Sequence, residues 1–145
     1  MSDETGDRLR QVGQEYGATT GRPRRCGWLD AVALDYANWL NGFTSLVITK
    51  LDVLDGMPEL KIATAYRLAG GEVTTRMPDP PGLERAEPIY ETWPGWERLT
   101  VQARTWGELP GEAQRYLRRI EELVGVPIGW ISVGPEREAM IAMAH

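Results

Sequence analysis

Residues 45–51, SLVITKL, constrain the fold more than any other stretch of this 145-residue chain. The run is short, apolar and dense in β-branched side chains, which reads as a buried strand. It follows directly on a helical pattern in which Trp28, Val32, Leu34, Ala37 and Leu40 fall on one side and Asn41 and Gly42 supply the stop. A buried strand reached from a helix in this way is expected to run parallel to a neighbour, and that expectation sets the fold class. Strands and helices must share one layered core.

The remaining chain fits around it. Ser2 can cap a first helix, with Asp3 and Glu4 in its first turn and Leu9, Val12 and Tyr16 at helical spacing up to Gly17. Asp55 and Gly56 make a turn. Residues 59–68, ELKIATAYRL, alternate in polarity and read as a half-exposed strand, turning through 69–71 into a hairpin partner at 73–77. The segment 78–82, PDPPG, is expected to be irregular. A short strand follows at 88–92. Residues 110–124 form the clearest helix: Pro110 suits its first turn, Ala113, Leu117, Ile120 and Val124 make its inner stripe, and Gly125 ends it. Residues 126–133, VPIGWISV, close the domain as a strand, with a last short strand at 140–143. The expectation is one mixed α/β domain over residues 1–145, a mixed sheet with a β-hairpin and flanking helices.

Composition excludes several classes of function. Net charge is −5, which argues against nucleic acid or an anionic membrane as the main partner. The one cysteine, Cys26, allows neither a disulfide framework nor a cysteine metal cage, and suits a reducing cytoplasm. No apolar run approaches the ~20 residues that span a bilayer, and the polar, acidic N-terminus does not read as a signal peptide. The one histidine, His145, is the last residue. No GxxxxGK[ST] or GxGxxG loop is present, and no Ser/His/Asp or Cys/His set can be assembled. Catalytic residues and metal ligands are therefore not expected in this chain.

Three stretches can carry chemistry. Residues 17–30, GATTGRPRRCGWLD, place Arg22, Arg24 and Arg25 in a Gly- and Thr-rich loop stiffened by Pro23. Guanidinium forks suit carboxylate and phosphate, so the loop reads either as a small-anion site or as a solvated basic turn. Thr49, Lys50, Leu51 and Asp52 close the first buried strand, at the end where open α/β sheets place ligands. An ionised Asp52 can accept the paired N–H donors of guanine, which adenine lacks, while the stem of Lys50 lies along the base; alternatively both side chains face water. Ser132, Val133 and Gly134 close the last strand and offer a hydroxyl and backbone N–H groups, although small residues end many strands.

Four runs in order, GATTGRPRRCGWLDAVAL, TKLDVLDG, EPIYETWPGW and RIEELVGVPIGWISVGPER, resemble the C-terminal part of the adenylosuccinate synthetase family, from about residue 13 to about 138. The family couples GTP hydrolysis, with magnesium, to the joining of IMP and L-aspartate through a phosphorylated IMP. The resemblance implies that Ala18, Thr19, Thr20, Gly21, Arg22, Pro23 and Arg24 form the loop closing over aspartate. It gives Arg22 an IMP contact and places Arg24 on the GTP side and near the aspartate carboxylate. It makes Lys50, Leu51 and Asp52 one wall of a guanine pocket, and Ser132, Val133 and Gly134 the other. The family's phosphate loop, acid–base residues and magnesium ligands have no counterpart here, and neither does much of its dimer surface. The expectation is the last third of a cytoplasmic, homodimeric ligase, inactive alone; the alternative is a non-catalytic nucleotide-binding or assembly module that pairs with a separate N-terminal partner.

Overall fold

The computed structural model describes residues 4–12 and 27–143. The first helix, α1 (Glu4–Val12), carries Glu4 and Asp7 in its first turn, where carboxylates oppose the positive end of the helix dipole. A two-residue strand, β1 (Leu29–Asp30), was not expected from sequence. It runs parallel to the long strand β3 (Glu59–Arg67), pairing Leu29 with Ile62 and Asp30 with Ala63. Asp30 is also the N-cap of α2 (Ala31–Asn41), its carboxylate accepting from Ala33 N–H at 3.0 Å. This is why α2 starts at residue 31 rather than at Trp28. It ends as expected, with Gly42 in the left-handed region.

Two mixed sheets share the core. In the first, β5 (Glu87–Pro94) lies antiparallel along one edge of β3, while β1 and β4 (Val73–Thr74) pair with its other side at different stretches. The expected β3–β4 hairpin is present. The half-exposed reading of β3 fails: Leu60, Ile62, Ala63, Ala65 and Tyr66 are all buried. A bulge between Ala63 and Ala65 breaks the two-residue alternation, so that Ala63 and Ala65, as well as Leu60, Ile62 and Tyr66, are buried. The PDPPG segment is also more regular than expected. Asp79 caps a short helix, α3 (Pro80–Arg85), by accepting from Gly82 N–H at 2.9 Å. Pro80 and Pro81 sit in its first turn, where the missing N–H groups need no partner.

In the second sheet, β2 (Leu46–Ile48) pairs in parallel with β6 (Ile128–Ser132), and β7 (Met140–Ala142) pairs antiparallel with the other edge of β6. The parallel expectation for the SLVITKL run thus holds, but the strand ends at Ile48. The helix α4 (Gly111–Val124) buries Ala113, Tyr116, Leu117, Ile120 and Val124 and is capped by Gly125. Glu121 fastens its end to the sheet by accepting from Ile128 N–H at 2.7 Å. Ile62, Leu117, Ile128, Ile131 and Ile141 belong to one continuous apolar cluster that joins both sheets to α4.

Candidate functional site

The parallel register of β2 and β6 decides where the sequence candidates meet. Ile48 stands beside Ile131, so both strands reach their carboxyl ends at the same edge of the sheet. Thr49 to Asp52 and Ser132 to Gly134 therefore leave the sheet side by side. Residues about 80 positions apart in sequence are neighbours because two parallel strands stop together, the place where such sheets take ligands.

The chain leaves β2 by an uncommon route. Lys50 adopts φ 57° and ψ 40°, and it is the non-glycine residue with positive φ among those described. That conformation costs an L-residue on the order of 1–2 kcal/mol. It turns the backbone into a short 3₁₀ turn, Leu51–Leu54, which was also not expected from sequence. Leu51, 1% exposed, anchors the turn in the core. Lys50 is exposed and Asp52 half-buried, both at the rim. Burial holds the Asp52 carboxyl above the usual aspartate range, and the nearby Asp55 pushes the same way; a backbone N–H and Lys50 partly oppose them.

Asp55, which reads in sequence only as a turn residue, fixes this segment from below. Its carboxylate accepts from Trp96 Nε1 at 2.6 Å, from Thr100 N–H at 2.9 Å and from Thr100 Oγ1 at 3.0 and 3.1 Å. Trp96 is buried and Thr100 fully so. The Asp55 carbonyl accepts from Arg8 of α1 at 3.0 Å, and Gly56 N–H donates to Trp96 O at 2.8 Å. The 3₁₀ turn that carries Asp52 is thereby tied both to α1 and to the 96–100 loop. A carboxylate three residues after Asp52 was visible in the sequence; nothing there marked Trp96 or Thr100 as its partners.

The opposite wall offers less than its sequence suggests. Val133 is buried, and its N–H donates to Ala139 O at 2.9 Å. The Ser132 hydroxyl donates to Gly134 O at 3.3 Å. The Gly134 N–H remains as the donor without a bond among the described residues. Space is tight there: a Cβ would lie 3.2 Å from both Ala139 Cβ and Val101 Cγ2, so a side chain would need those neighbours to shift by a few tenths of an ångström.

The arginine loop, Ala18, Thr19, Thr20, Gly21, Arg22, Pro23 and Arg24, lies outside the described residues, as do Arg25 and Cys26. Its two flanks are described. Upstream, α1 packs on the 3₁₀ turn through Arg8. Downstream, Asp30 caps α2 and also accepts a hydrogen bond from Tyr66 Oη. Burial and the Asp30 carboxylate hold the Tyr66 phenol well above its ordinary value, so it stays a donor to Asp30.

Comparison with known proteins follows the same lines. The family model for adenylosuccinate synthetase matches residues 1–141. The chloroplastic adenylosuccinate synthetase of Ostreococcus tauri is 55% identical over 139 residues, covering 95% of this chain and 29% of that protein. The adenylosuccinate synthetase of Anaeromyxobacter dehalogenans (strain 2CP-C) is 54% identical over 146 residues, 100% of this chain and 34% of that protein. The solved structure of fully ligated adenylosuccinate synthetase from Plasmodium falciparum superposes with a TM-score of 0.95 at 38% identity, over 99% of this chain and 35% of that one. The chain thus spans about a third of the length of the curated relatives it matches.

Proposed function

The chain belongs to the adenylosuccinate synthetase family, and from that premise we propose that it supplies the guanine-binding wall and the aspartate-closing loop of a GTP-dependent ligase. In the complete reaction IMP and L-aspartate are joined, with GTP hydrolysis, to give adenylosuccinate, GDP and phosphate. Residues 1–145 act as one domain within that reaction. The observation that supports the reading is the parallel register of β2 and β6, which brings the two strand ends leading to Asp52 and to Gly134 to one edge of the sheet.

Guanine presents complementary groups. Its ring N–H and exocyclic amino group donate in parallel to the two oxygens of Asp52, and its carbonyl oxygen accepts from Gly134 N–H. The alkyl stem of Lys50 covers one face of the base, and Leu51 is its buried anchor. Ser132 and Val133 act through the backbone that positions Gly134. In the same proposal, Ala18, Thr19, Thr20, Gly21, Arg22, Pro23 and Arg24 close over aspartate, with Arg22 reaching IMP and Arg24 lying on the GTP side.

Among the described residues no cluster of three His, Cys, Asp or Glu side chains can hold a metal ion. In this proposal magnesium, general acid–base catalysis, the homodimer contact and most of the IMP site belong to the part of the family's length that this chain does not span. A coupled assay of the purified chain with GTP, IMP, aspartate and magnesium is expected to show no turnover. No described helix is long and apolar enough to cross a membrane, and action in the cytoplasm belongs to the same proposal.

The direct test is discrimination between GDP and IDP, which lacks the amino group. Hydrogen bonds to a charged acceptor contribute about 1.5–3 kcal/mol each, so titration calorimetry should show GDP bound at least ~10-fold more tightly than IDP. Asp52→Asn should erase most of that preference. Equal affinity for the two nucleotides in the wild-type chain would remove Asp52 as the guanine reader.

A further inference from the structure

Asp52 and Asp55 are the same residue type, three positions apart, yet the fold gives them different tasks. Every polar atom of Asp55 is engaged. Its N–H donates to Asp52 O at 3.1 Å, and its carbonyl accepts from Arg8 Nη2 at 3.0 Å. One carboxylate oxygen accepts from Trp96 Nε1 and the other from Thr100 N–H, with Thr100 Oγ1 in reach of both. Both oxygens are thus committed to buried residues and none is left for a base. Asp55 grips the 3₁₀ turn at the residue that closes it.

This grip gives Asp52 no electrostatic help. A like charge nearby disfavours the ionised form, and Asp55 pushes the Asp52 carboxyl upward. What Asp55 contributes is position. Its backbone N–H holds the carbonyl of Asp52, while its side chain fixes the turn to the 96–100 loop.

The loop reaches the other wall as well. Val101 follows Thr100, and its Cγ2 lies 3.2 Å from the point where a Cβ on Gly134 would stand. Thr100 therefore holds the turn that carries Asp52, and the next residue backs Gly134. Two consecutive residues span the distance between the walls. That distance matters for the chemistry assigned to them. A carboxylate receives the ring N–H and the amino group of guanine in parallel when both of its oxygens lie in the plane of the base. Holding such a geometry to about 0.5 Å falls to groups that do not touch the ligand.

On the guanine reading above, we propose that Asp55 and Thr100 are positioning residues for nucleotide selectivity. Their hydrogen bonds fix the Asp52 carboxylate relative to the Gly134 N–H and so set how strongly the site prefers guanine to hypoxanthine. Neither residue contacts the base. Without the clamp, the turn that begins at the strained Lys50 relaxes, and the paired bonds to guanine suffer more than the single bond that hypoxanthine makes with Asp52.

Titration calorimetry of the 145-residue chain with GDP and IDP, well below the melting temperatures, tests this. Thr100→Val, which keeps the shape and removes one hydroxyl, should cut the preference for GDP by about threefold. Asp55→Ala should bring the preference close to unity, with GDP affinity falling further than IDP affinity. A purely structural role would lower the melting temperature and leave the ratio intact. Ile120→Val, buried in α4, provides that comparison and should melt lower with an unchanged ratio. Circular dichroism shows which variants fold, and Thr100→Val carries the test if Asp55→Ala does not. The proposal is overturned if the folded variants keep the wild-type ratio, or if Ile120→Val lowers it equally. A wild-type preference that Asp52→Asn erases and the clamp variants retain refutes the positioning role alone. Equal affinity in the wild-type chain removes the guanine reading and this proposal with it.

Discussion

Removing the Asp55 carboxylate should destabilise the chain more than its place in an Asp-Gly turn suggests. In Asp55→Ala three donors lose their acceptor: Trp96 Nε1, Thr100 N–H and Thr100 Oγ1. At about 1.5–3 kcal/mol for each hydrogen bond to a charged group, the separate losses sum to more than 4 kcal/mol. They are not independent, because two donors belong to one residue and water can enter beside the half-buried Asp55. The expected cost is therefore ~3–5 kcal/mol, a large share of the 5–15 kcal/mol typical of a small domain. At roughly 2–4 °C per kcal/mol for a chain of this size, the melting temperature should fall by about 10 °C. Thr100→Val, which removes one hydroxyl and keeps the shape, should cost ~1 kcal/mol, and the Asp55→Ala/Thr100→Val pair should be less damaging than the sum of the two. Urea denaturation of the four proteins measures all of this. A cost below 1 kcal/mol for Asp55→Ala, or strict additivity with Thr100→Val, would refute the claim that Asp55 clamps the 3₁₀ turn to the 96–100 loop.

Two further outcomes follow from packing and charge. A Cβ at position 95 would lie 1.7 Å from the Met57 carbonyl oxygen and 2.8 Å from its carbon, both backbone. Gly95→Ala therefore has to push the end of β5 away from β3 and break the 3.0 Å bond from Gly95 N–H to Pro58 O; a loss of about 3 kcal/mol is expected, and a melt within 2 °C of wild type would contradict it. Glu91 accepts from Arg119 through Nε at 2.7 Å and Nη2 at 2.9 Å, which holds its carboxyl below the ordinary value of 4.5. A lowered acid stabilises the fold above its ordinary value, and this stabilisation is lost as pH falls through the lowered one. Arg119→Met should thus cost ~1 kcal/mol at pH 7 and progressively less below pH 4.5, and an equal cost at both ends of a pH series of melts would exclude the ion pair as its source.

The elements that the sequence made legible are those whose burial matches their local pattern. The α4 stripe, the stops at Gly42 and Gly125 and the parallel setting of the SLVITKL run all follow from period and capping chemistry. The misses have physical causes. In β3 the bulge at Ala63–Ala65 overrides alternation. In 78–82 the prolines occupy the one helical turn that tolerates them. Strand β1 is two residues long and exists because Asp30 serves at once as helix cap, strand residue and acceptor for Tyr66. Of the candidate site, Lys50, Asp52 and Gly134 were legible as strand-end residues, but their adjacency depends on a pairing between distant segments that no local window contains. Asp55 was legible only as a turn former, since its partners lie about 40 residues away.

The strand end also departs from what stability alone would select. Lys50 occupies a conformation that glycine adopts freely, and Asp52 carries a charge that its burial disfavours. An acid whose value is raised in the folded state contributes fully below its ordinary value of 3.8, and that contribution is lost as pH rises through the raised value. At pH 7 the Asp52 charge therefore works against folding. Asp52→Asn should melt higher than wild type at pH 7, with the gap closing by pH 3. Lys50→Gly relieves ~1–2 kcal/mol of backbone strain, offset in part by the greater freedom of glycine in the unfolded chain and by the lost attraction to Asp52. Its stability should be unchanged or slightly raised. Both variants should weaken GDP binding. With both outcomes in hand, the pair would be selected for the proposed ligand rather than for the fold, since folded chains tolerate local strain where function requires it. Destabilisation of the fold by either substitution at pH 7 would mean that Lys50 and Asp52 serve the architecture, and would remove the stability argument for a guanine site at this sheet edge.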